Sequence, residues 1–198
     1  KTLKENVGQG ILANDFLTNA LITATAASDA RMDGCPKPVM TNSGSGNQGI
    51  TVYLPVVVAA KQFNASDEQL IRALAMSNLV SAHIHYYMGH LSALCGIMLA
   101  ATGAATGIVF LMGGDFNKVA NAVKTMSSDL TGMICDGAKS GCALKVYSGV
   151  SAAVQAALLA MQGIQTFNSG IVDAEVENTI KNVGIIGSVG MEQTDETH

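Results

Sequence analysis

Charge is scarce in this sequence of 198 residues. Only 13% of the residues are Asp, Glu, Lys or Arg, and the formal net charge at pH 7 is -4. Nucleic-acid-binding proteins need clustered Lys and Arg to neutralise phosphates, whereas the basic residues here are scattered singly. No run of like charge marks a disordered tail. The composition argues against a nucleic-acid partner, and the 48% of apolar residues can supply one domain with a sizeable core.

Charged residues are absent altogether from positions 73–114. Within this stretch, residues 91–114 are the best candidate for a transmembrane span, and Gly103 and Gly107 have the GxxxG spacing of membrane helices. The stretch also carries six Ser, Thr and Asn residues and three histidines, which favour a buried helix of a soluble protein. The N-terminal sequence lacks the apolar core of a signal peptide. We therefore expect a cytoplasmic protein without a membrane span.

Alternating apolar patterns of the kind that strands show between hairpin turns are also missing. Apolar residues instead recur at helical spacing, and local signals mark helix ends. Ser66 and Gln69 form a capping box, Gly89 ends or bends the helix that follows, and Asp115 is an N-cap. We predict an all-α fold, a compact multi-helix domain over residues 1–198 with about seven or eight helices.

The predicted helices have the following limits. The N-terminal helix is expected to break near Gly8 and Gly10, and residues 50–63 form either a buried strand or a helix kinked at Pro55. The final eight residues, MEQTDETH, are expected to fray. The N-terminal helix spans residues 1–27. The other predicted helices span residues 66–87, 90–112, 115–133 and 143–161, and a last helix starts at Asp173.

A long glycine-rich loop is predicted over residues 28–49, which hold two prolines and four glycines. Loops of this length in compact domains are usually functional. Its second part, TNSGSGNQG, precedes an apolar segment and can present backbone N–H groups to a carboxylate or phosphate. The stretch lacks the GK[ST] of a P-loop, and its GxGxxG glycine spacing has no preceding strand. A flexible loop is the alternative, but the run of polar residues favours an anion site.

Four cysteines in a chain without an export signal are expected to be reduced ligands or free thiols. Cys135 and Cys142 flank a turn that can point two thiolates at one ion or cluster. Cys95 lies in an apolar segment forty residues upstream, where it is either a third ligand or a small buried hydrophobic residue. Spacing alone leaves both interpretations open. Cys35 stands apart beside Pro36 and is interpreted as a free thiol.

Two further residues are candidates for catalysis. His85, like His90, is close in sequence to Cys95 and is a candidate ligand or proton carrier, although a histidine on an apolar helix is more often a hydrogen-bonded core residue. Arg31 can clamp a substrate carboxylate, but the residues favour a structural ion pair with Asp29.

Several stretches together resemble one family. They are SDARMDG (28–34), MTNSGSGNQGI (40–50) followed by LPVVV, LSALC (91–95) and GMICDGAKSGCALKV (132–146). In this order they resemble the C-terminal half of the L-cysteine desulfidases and their relatives, which are kin to the α domain of the iron-sulfur L-serine dehydratases. The resemblance covers nearly the whole chain.

The resemblance implies a [4Fe-4S] cluster held by Cys95, Cys135 and Cys142, with one iron left free as a Lewis acid. It implies elimination without pyridoxal phosphate, from L-cysteine to pyruvate, ammonia and sulfide, or from L-serine to pyruvate and ammonia. Material purified in air is expected to lack the cluster. The implied residues for binding the substrate carboxylate lie in the glycine-rich loop: Asn42, Ser43, Gly44, Ser45, Gly46 and Asn47.

The resemblance also implies partners. Family members carry a further N-terminal half, which is therefore one expected partner; the other is a small amino acid as substrate. An isolated C-terminal half is expected to be inactive. A homo-oligomer is left open. Two other classes stay open on the residues alone. One is a structural Cys3His zinc site with His85 or His90 as the fourth ligand. The other is an apolar helical module that uses an exposed face to bind a partner.

Overall fold

The computed structural model of this chain describes residues 1–89 and 92–197, most of which are helical. No strand occurs among them, and two isolated β-bridges join Asn42 to Ser45 and Leu94 to Ile134. The predicted all-α fold is confirmed. The elements are α1 (Thr2–Gly8), α2 (Phe16–Met32), α3 (Gly46–Gln62), α4 (Asp67–Met88), α5 (Gly96–Leu111), α6 (Phe116–Leu130), α7 (Cys142–Met161), α8 (Val176–Ile185), a π-helical turn (Ile186–Gly190) and α9 (Glu192–Thr197).

Helix α5 is the centre of the core, and every residue from Ile97 to Val109 is buried. It packs against α3, α4, α6 and α7. Its small residues let α4 come close: a Cβ added at Gly103 would lie 2.3 Å from the backbone oxygen of Ser77, and one at Gly107 would lie 2.1 Å from the Ser77 hydroxyl. Helix α5 carries no charged residue, which fits its burial among these four helices, where an unpaired charge would be costly.

One described helix, α7, is long and apolar enough to cross a membrane by length and composition. Half of its most apolar window is buried inside the fold, where it packs against α2, α5 and α6. The helix in the charge-free stretch, α5, has 16 residues, which is shorter than the roughly 20 that a span requires. Both helices have the burial that is typical of a core.

Local signals placed several helix ends correctly. The capping box forms, because Gln69 N–H donates to Ser66 Oγ (3.3 Å) and Ser66 N–H donates to Gln69 Oε1 (2.8 Å). Helix α4 ends at Gly89, whose φ of 87° favours glycine. Asp115 caps α6 by accepting from the N–H of Lys118 at 3.0 Å. Helix α1 ends at Gly8 as expected. Of the two structures considered for the segment around Pro55, the helix is correct, because Pro55 lies inside α3.

Other predicted limits were wrong. The long loop is shorter than predicted, since α2 continues to Met32 and α3 begins at Gly46, which leaves residues 33–45. Two of its glycines, Gly46 and Gly49, are helical. Within the described residues the helix predicted from position 90 begins at Gly96, because residues 93–95 pair with residues 133–135. His90 and Leu91 lie outside the described residues.

The C-terminal limits also differ. The last long helix starts at Val176 rather than Asp173, because the Asp173 carboxylate accepts from the N–H of Glu175 at 2.8 Å and holds a turn ahead of α8. Residues of the polar C-terminus, predicted to fray, form the short helix α9.

Glu177 on α8 contacts two side chains of α4, and these contacts predict how the stability of the protein changes with acid. Its carboxylate accepts from Tyr87 Oη at 2.8 Å and lies 3.0 Å from His83 Nε2. The hydrogen bonds from His83 and then Tyr87 lower the pKa of Glu177, with Lys181 adding a smaller effect. Because the folded state holds the charged form, the stabilisation is present above the ordinary glutamate pKa of about 4.3 and is lost as the pH falls below it.

We expect Glu177→Gln to lower the melting temperature by about 2 °C near neutral pH, since partly exposed ion pairs are weak. The difference from the wild type should shrink steadily below about pH 4.3. Thermal melts of both proteins between neutral and acid pH measure this, with Glu175→Gln as a neighbouring control. A difference that grows as the solution becomes more acidic would contradict the assignment.

Candidate active site

One cavity of about 270 Å³ collects residues from four separate parts of the chain. Arg31 comes from the end of α2, and Gly44, Ser45, Asn47 and Gln48 come from the segment that enters α3 and from its first turn. Cys95 and two following residues come from the start of α5, and the turn that leads into α7 adds Cys135 and Cys142. All three cysteines that the sequence singled out therefore lie on the same cavity. Their role as ligands stays a prediction.

A short backbone pairing brings the cysteine segments together. Around the bridge between Leu94 and Ile134, the N–H of Cys95 donates to the Met133 carbonyl at 2.8 Å, and the N–H of Cys135 donates to the Ala93 carbonyl at 2.6 Å. Side chains alternate between faces along extended backbone, so both cysteines point away from the face that carries the bridging pair. In this register Cys95 lies opposite Met133 and Cys135 lies opposite Ala93, so the pairing places the two cysteines diagonally on one face.

Cys95 is the most enclosed of the three thiols, with 5% of its surface exposed. It precedes the first turn of α5, and its thiol makes no capping hydrogen bond. Burial raises the pKa of Cys95 to about 11; the backbone N–H of Ile97 and the charge of Lys145 act in the opposite direction, while the charges of Cys135 and Cys142 raise it further. Without a bound cation this thiol is protonated at neutral pH, so loading a metal group would release a proton.

The turn between Cys135 and Cys142 is held by an ionic network. Asp136 forms ion pairs with Lys139 and, at 2.6 Å, with Lys145. Hydrogen bonds from Lys139 and then Lys145 hold the pKa of Asp136 well below its usual range. Within the turn, the Cys142 thiol lies 3.7 Å from the Gly137 carbonyl oxygen, to which it donates. The turn is therefore a folded structure held by charge, and its two cysteines are only partly buried.

Arg31 forms one wall of the cavity and also lines a second cavity of about 380 Å³ that contains Cys35. Its guanidinium lies against Gly46, where an added Cβ would be 2.4 Å from Arg31 Nε. Across residues 1–89 and 92–197, neither Asp29 nor any other acidic residue forms an ion pair with it, and no hydrogen bond to it is found. The structural pair with Asp29 is therefore absent. Cys35 is exposed and unpaired, and it lies outside the cysteine cavity.

The structure divides the six residues predicted to bind substrate. Three of them, Gly44, Ser45 and Asn47, line the cavity. Gly46 packs beneath Arg31. Asn42 is 2% exposed, and its amide is used inside the protein: Nδ2 donates to Asn78 Oδ1 at 2.8 Å, and Oδ1 accepts from Ser81 at 2.9 Å.

Ser43 and His85 lie elsewhere. Both line a separate surface pocket together with Ala82, Tyr86 and Gly89. The structure therefore does not bring His85 to the three cysteines, and it gives Asn42 a structural position. Catalysis by His85 and substrate binding by Asn42 and Ser43 stay predictions that this placement does not favour.

The side chains that could bind a metal determine which metal ion or cluster fits the cavity. Within the described chain, no three His, Cys, Asp or Glu side chains are arranged to hold a single metal ion. A Cys3His zinc site with His85 is thus not assembled, and His90 lies outside the described residues. The ligands of an iron-sulfur cluster bind different iron atoms and need not converge on one point. Among the described residues the three thiols are the only sulfur ligands on the wall and no imidazole joins them, and thiolates are the usual ligands of iron-sulfur clusters.

Sequence reasoning missed two residues at this site. Gln48 lines the cavity, and its Oε1 is buried with no hydrogen-bond partner. Its amide occupies the space that a side chain at Gly96 would need, since a Cβ added there would lie 2.2 Å from Gln48 Nε2. Lys145 donates to the Ile134 carbonyl at 2.6 Å and to Asp136. Gln48 directly follows the predicted substrate-binding residues 42–47, and Lys145 comes one helical turn after Cys142. Their positions next to predicted site residues are the sequence feature that could have identified them.

Comparison with known proteins yields a family and a set of relatives. The family model described as serine dehydratase alpha chain matches residues 1–198. A UPF0597 protein of Oleidesulfovibrio alaskensis is 50% identical over 196 residues, which cover 98% of this chain and 46% of that protein. A UPF0597 protein of Alkaliphilus oremlandii is 47% identical, with 100% of this chain and 46% of that protein covered.

A third relative, a UPF0597 protein of Phocaeicola vulgatus, is 52% identical over 94% of this chain and 43% of its own length. The chain therefore spans a little less than half the length of these curated relatives. No solved structure matches it.

Proposed function

The chain belongs to the serine dehydratase alpha chain family, and from this premise we propose that it is the cluster-binding part of an iron-sulfur lyase. The family is generally associated with iron-sulfur clusters. The proposed reaction converts L-cysteine and water to pyruvate, ammonia and hydrogen sulfide without pyridoxal phosphate; elimination of water from L-serine is the alternative. The observation that carries the proposal is the cavity shared by Cys95, Cys135, Cys142 and Arg31.

Cys95, Cys135 and Cys142 are proposed to hold a [4Fe-4S] cluster. When bound, the cluster supplies a Lewis-acidic iron that no protein side chain occupies. The cavity that the three thiols share supports this assignment. The Cys95 thiol is enclosed at the start of α5, where the backbone N–H of Ile97 offsets part of the rise in pKa that burial causes.

Arg31 is proposed to bind the substrate carboxylate. A guanidinium can accept a carboxylate through two parallel hydrogen bonds, and this one is half-buried without an acidic partner in the described chain. Ser45 and Gly44 lie beside it at the start of α3. The free N–H groups and dipole of that helix end add to the attraction for an anion. The substrate would then lie between Arg31 and the thiols, with its β-carbon turned toward the cluster.

The catalytic base is proposed to come from outside this chain. In the described part of the chain, no histidine lines the cavity, and Lys145 is engaged by Ile134 and Asp136. The relatives continue for more than half of their length beyond the matched region. We propose that such a further part covers the cavity, excludes water and completes the site, so that this chain alone would bind a cluster without turning over substrate.

Anaerobic incubation of the chain with ferrous iron and sulfide tests the proposal. We expect broad visible absorbance and stoichiometric acid-labile sulfide. Zinc bound in a one-to-one ratio with no labile sulfide would instead support the structural zinc class, and failure to retain any metal would overturn the proposal. Sulfide release from L-cysteine, compared with pyruvate formation from L-serine by a protein that includes the further part, distinguishes the two substrates.

Arg31→Leu should weaken amino-acid binding by roughly 10- to 100-fold, because a charge-assisted hydrogen-bond pair contributes about 1.5–3 kcal/mol. Calorimetric titration of the reconstituted chain with L-alanine, which has no leaving group, measures the affinity. Arg72→Leu is the matched control, since Arg72 is exposed and pairs only with Glu68 on α4. Equal affinity in the Arg31 variant and the wild type would contradict the proposed carboxylate site.

A further inference from the structure

We propose that Lys145 is the positioning residue of this site: it ties the Cys135 segment to the helix that begins at Cys142 and supplies a fixed positive charge to the thiolates. The inference rests on the proposed function, because it assigns the charge balance and the shape of the same cluster site. Neither the family match nor the spacing of the cysteines assigns a role to this lysine.

The contacts of Lys145 connect both halves of the cysteine turn. It lies in the first turn of α7, three residues after Cys142 and on the same side of the helix. Its ammonium donates to the Ile134 carbonyl at 2.6 Å and to Asp136 Oδ1 at 2.6 Å. Ile134 and Asp136 are the residues on either side of Cys135. One side chain therefore fixes the position of Cys135 relative to Cys142.

Its charge reaches the thiols from inside the protein. The side chain of Lys145 is 22% exposed, whereas that of Lys139, which pairs with the same carboxylate, is 53% exposed. Burial by itself lowers the pKa of Lys145, but the hydrogen bond to Asp136 and the charges of Cys95, Asp136 and Cys135 outweigh it and raise the pKa above the ordinary value. The ammonium is therefore charged at neutral pH, and its two hydrogen bonds hold it beside the Cys135 segment.

A cluster site of this composition needs such a cation. Three thiolates together outweigh the positive charge of a [4Fe-4S] core, so the loaded site would be negative, and negative charge in a partly enclosed cavity is stabilised by a nearby cation. Arg31 lines the cavity and is assigned to the substrate carboxylate. Neither Lys139 nor Lys145 lines the cavity, but Lys145 is the less exposed of the two, and its ammonium is bonded to the residues on both sides of Cys135. Its charge favours thiolate over thiol and stabilises a reduced cluster relative to an oxidised one.

The experiment compares Lys145→Met with Lys139→Met in the full chain after anaerobic incubation with ferrous iron and sulfide. Methionine keeps most of the apolar stem and removes the charge. We expect Lys145→Met to lose iron to a chelator roughly tenfold faster than the wild type, since two charge-assisted hydrogen bonds are lost. The cluster that remains should have a more negative reduction potential. Lys139→Met should match the wild type in both measurements.

Lys145→Arg provides the rescue, because it restores the charge and a donor at the same position. We expect it to recover most of the iron retention and to return the potential toward that of the wild type. Circular dichroism shows whether each variant is folded. If Lys145→Met does not fold, Lys145→Gln takes its place, since glutamine keeps a donor for the Ile134 carbonyl without the charge.

The outcomes separate the two proposals. Loss of retention with a shifted potential in Lys145→Met, and recovery in Lys145→Arg, supports the inference. A wild-type chain that binds iron and sulfide while Lys145→Met retains the cluster equally well at an unchanged potential overturns the role of Lys145 and leaves the proposed function intact. Reduced retention at an unchanged potential, without recovery in Lys145→Arg, also overturns it. A wild-type chain that takes up neither iron nor sulfide overturns the proposed function itself.

Discussion

Replacing Cys95 by alanine is expected to abolish stable iron-sulfur uptake by this chain. Cys95 supplies one of three thiols on the cavity, and in the described chain no other thiol or imidazole on the wall can substitute for it. Two thiolates hold a cluster far less tightly than three, so we expect bound iron and labile sulfide to fall at least tenfold. Visible absorbance and chemical iron and sulfide determination after anaerobic reconstitution measure the loss.

The fold should survive this change. Alanine fits a site that holds a small buried side chain, and the backbone pairing of Cys95 with Met133 does not involve the thiol. Cys35→Ala is the matched control, because Cys35 is exposed and lies outside the cavity. It should take up iron and sulfide as the wild type does. Normal uptake by a folded Cys95→Ala protein, or equal losses in both variants, would remove the proposed cluster site.

Gly49→Ala is expected to cause the largest loss of stability, about 3 kcal/mol or more. A Cβ at this position in the first turns of α3 would lie 1.8 Å from the backbone oxygen of Met40. Backbone cannot rotate aside as a side chain can, so either the helix or the segment that enters it must move. Because that segment carries Gly44 and Ser45 into the cavity, the strain would also disturb the proposed anion site.

Urea or thermal denaturation measures this effect, and a chain of this length should lose roughly 10 °C in melting temperature. Gly8→Ala is the control, since no atom lies within 4 Å of its added Cβ and it ends a surface helix. Its stability should change by less than about 1 kcal/mol. Similar melting temperatures for Gly49→Ala and the wild type would show that the segment around Met40 does not pack against α3 as described.

Local chemistry explains which parts of the fold were predictable. The capping box at Ser66, the Gly89 terminus and the Asp115 cap depend on residues within one helical turn, and all three lie where they were predicted. The start of α5 was wrong because the backbone ahead of Gly96 is drawn into pairing with residues 133–135. Three apolar residues are too few for their spacing to distinguish the start of a helix from a buried extended segment.

The sequence and the family resemblance named Cys95, Cys135 and Cys142 as candidate ligands, and Arg31 was named as a member of an ion pair or a carboxylate clamp. The structure places all four on one cavity, and their roles stay predictions. The positions of Asn42 and His85 were not predictable in this way. Polar residues in one loop or on one helix can face different sides, and the structure directs Asn42 to Asn78 and His85 to another pocket.

The amino-acid sequence alone determined that this protein is helical and where several of its helix caps lie, because these properties depend on residue type and on short-range spacing. The candidate cluster thiols followed from the family resemblance. Only the tertiary structure decided that a bridge between Leu94 and Ile134 brings the thiols to one cavity, that Arg31 lacks an acidic partner in the described chain, and that Lys145 is bonded to the residues on both sides of Cys135. These features arise from contacts between segments far apart in the chain, and no local pattern encodes them.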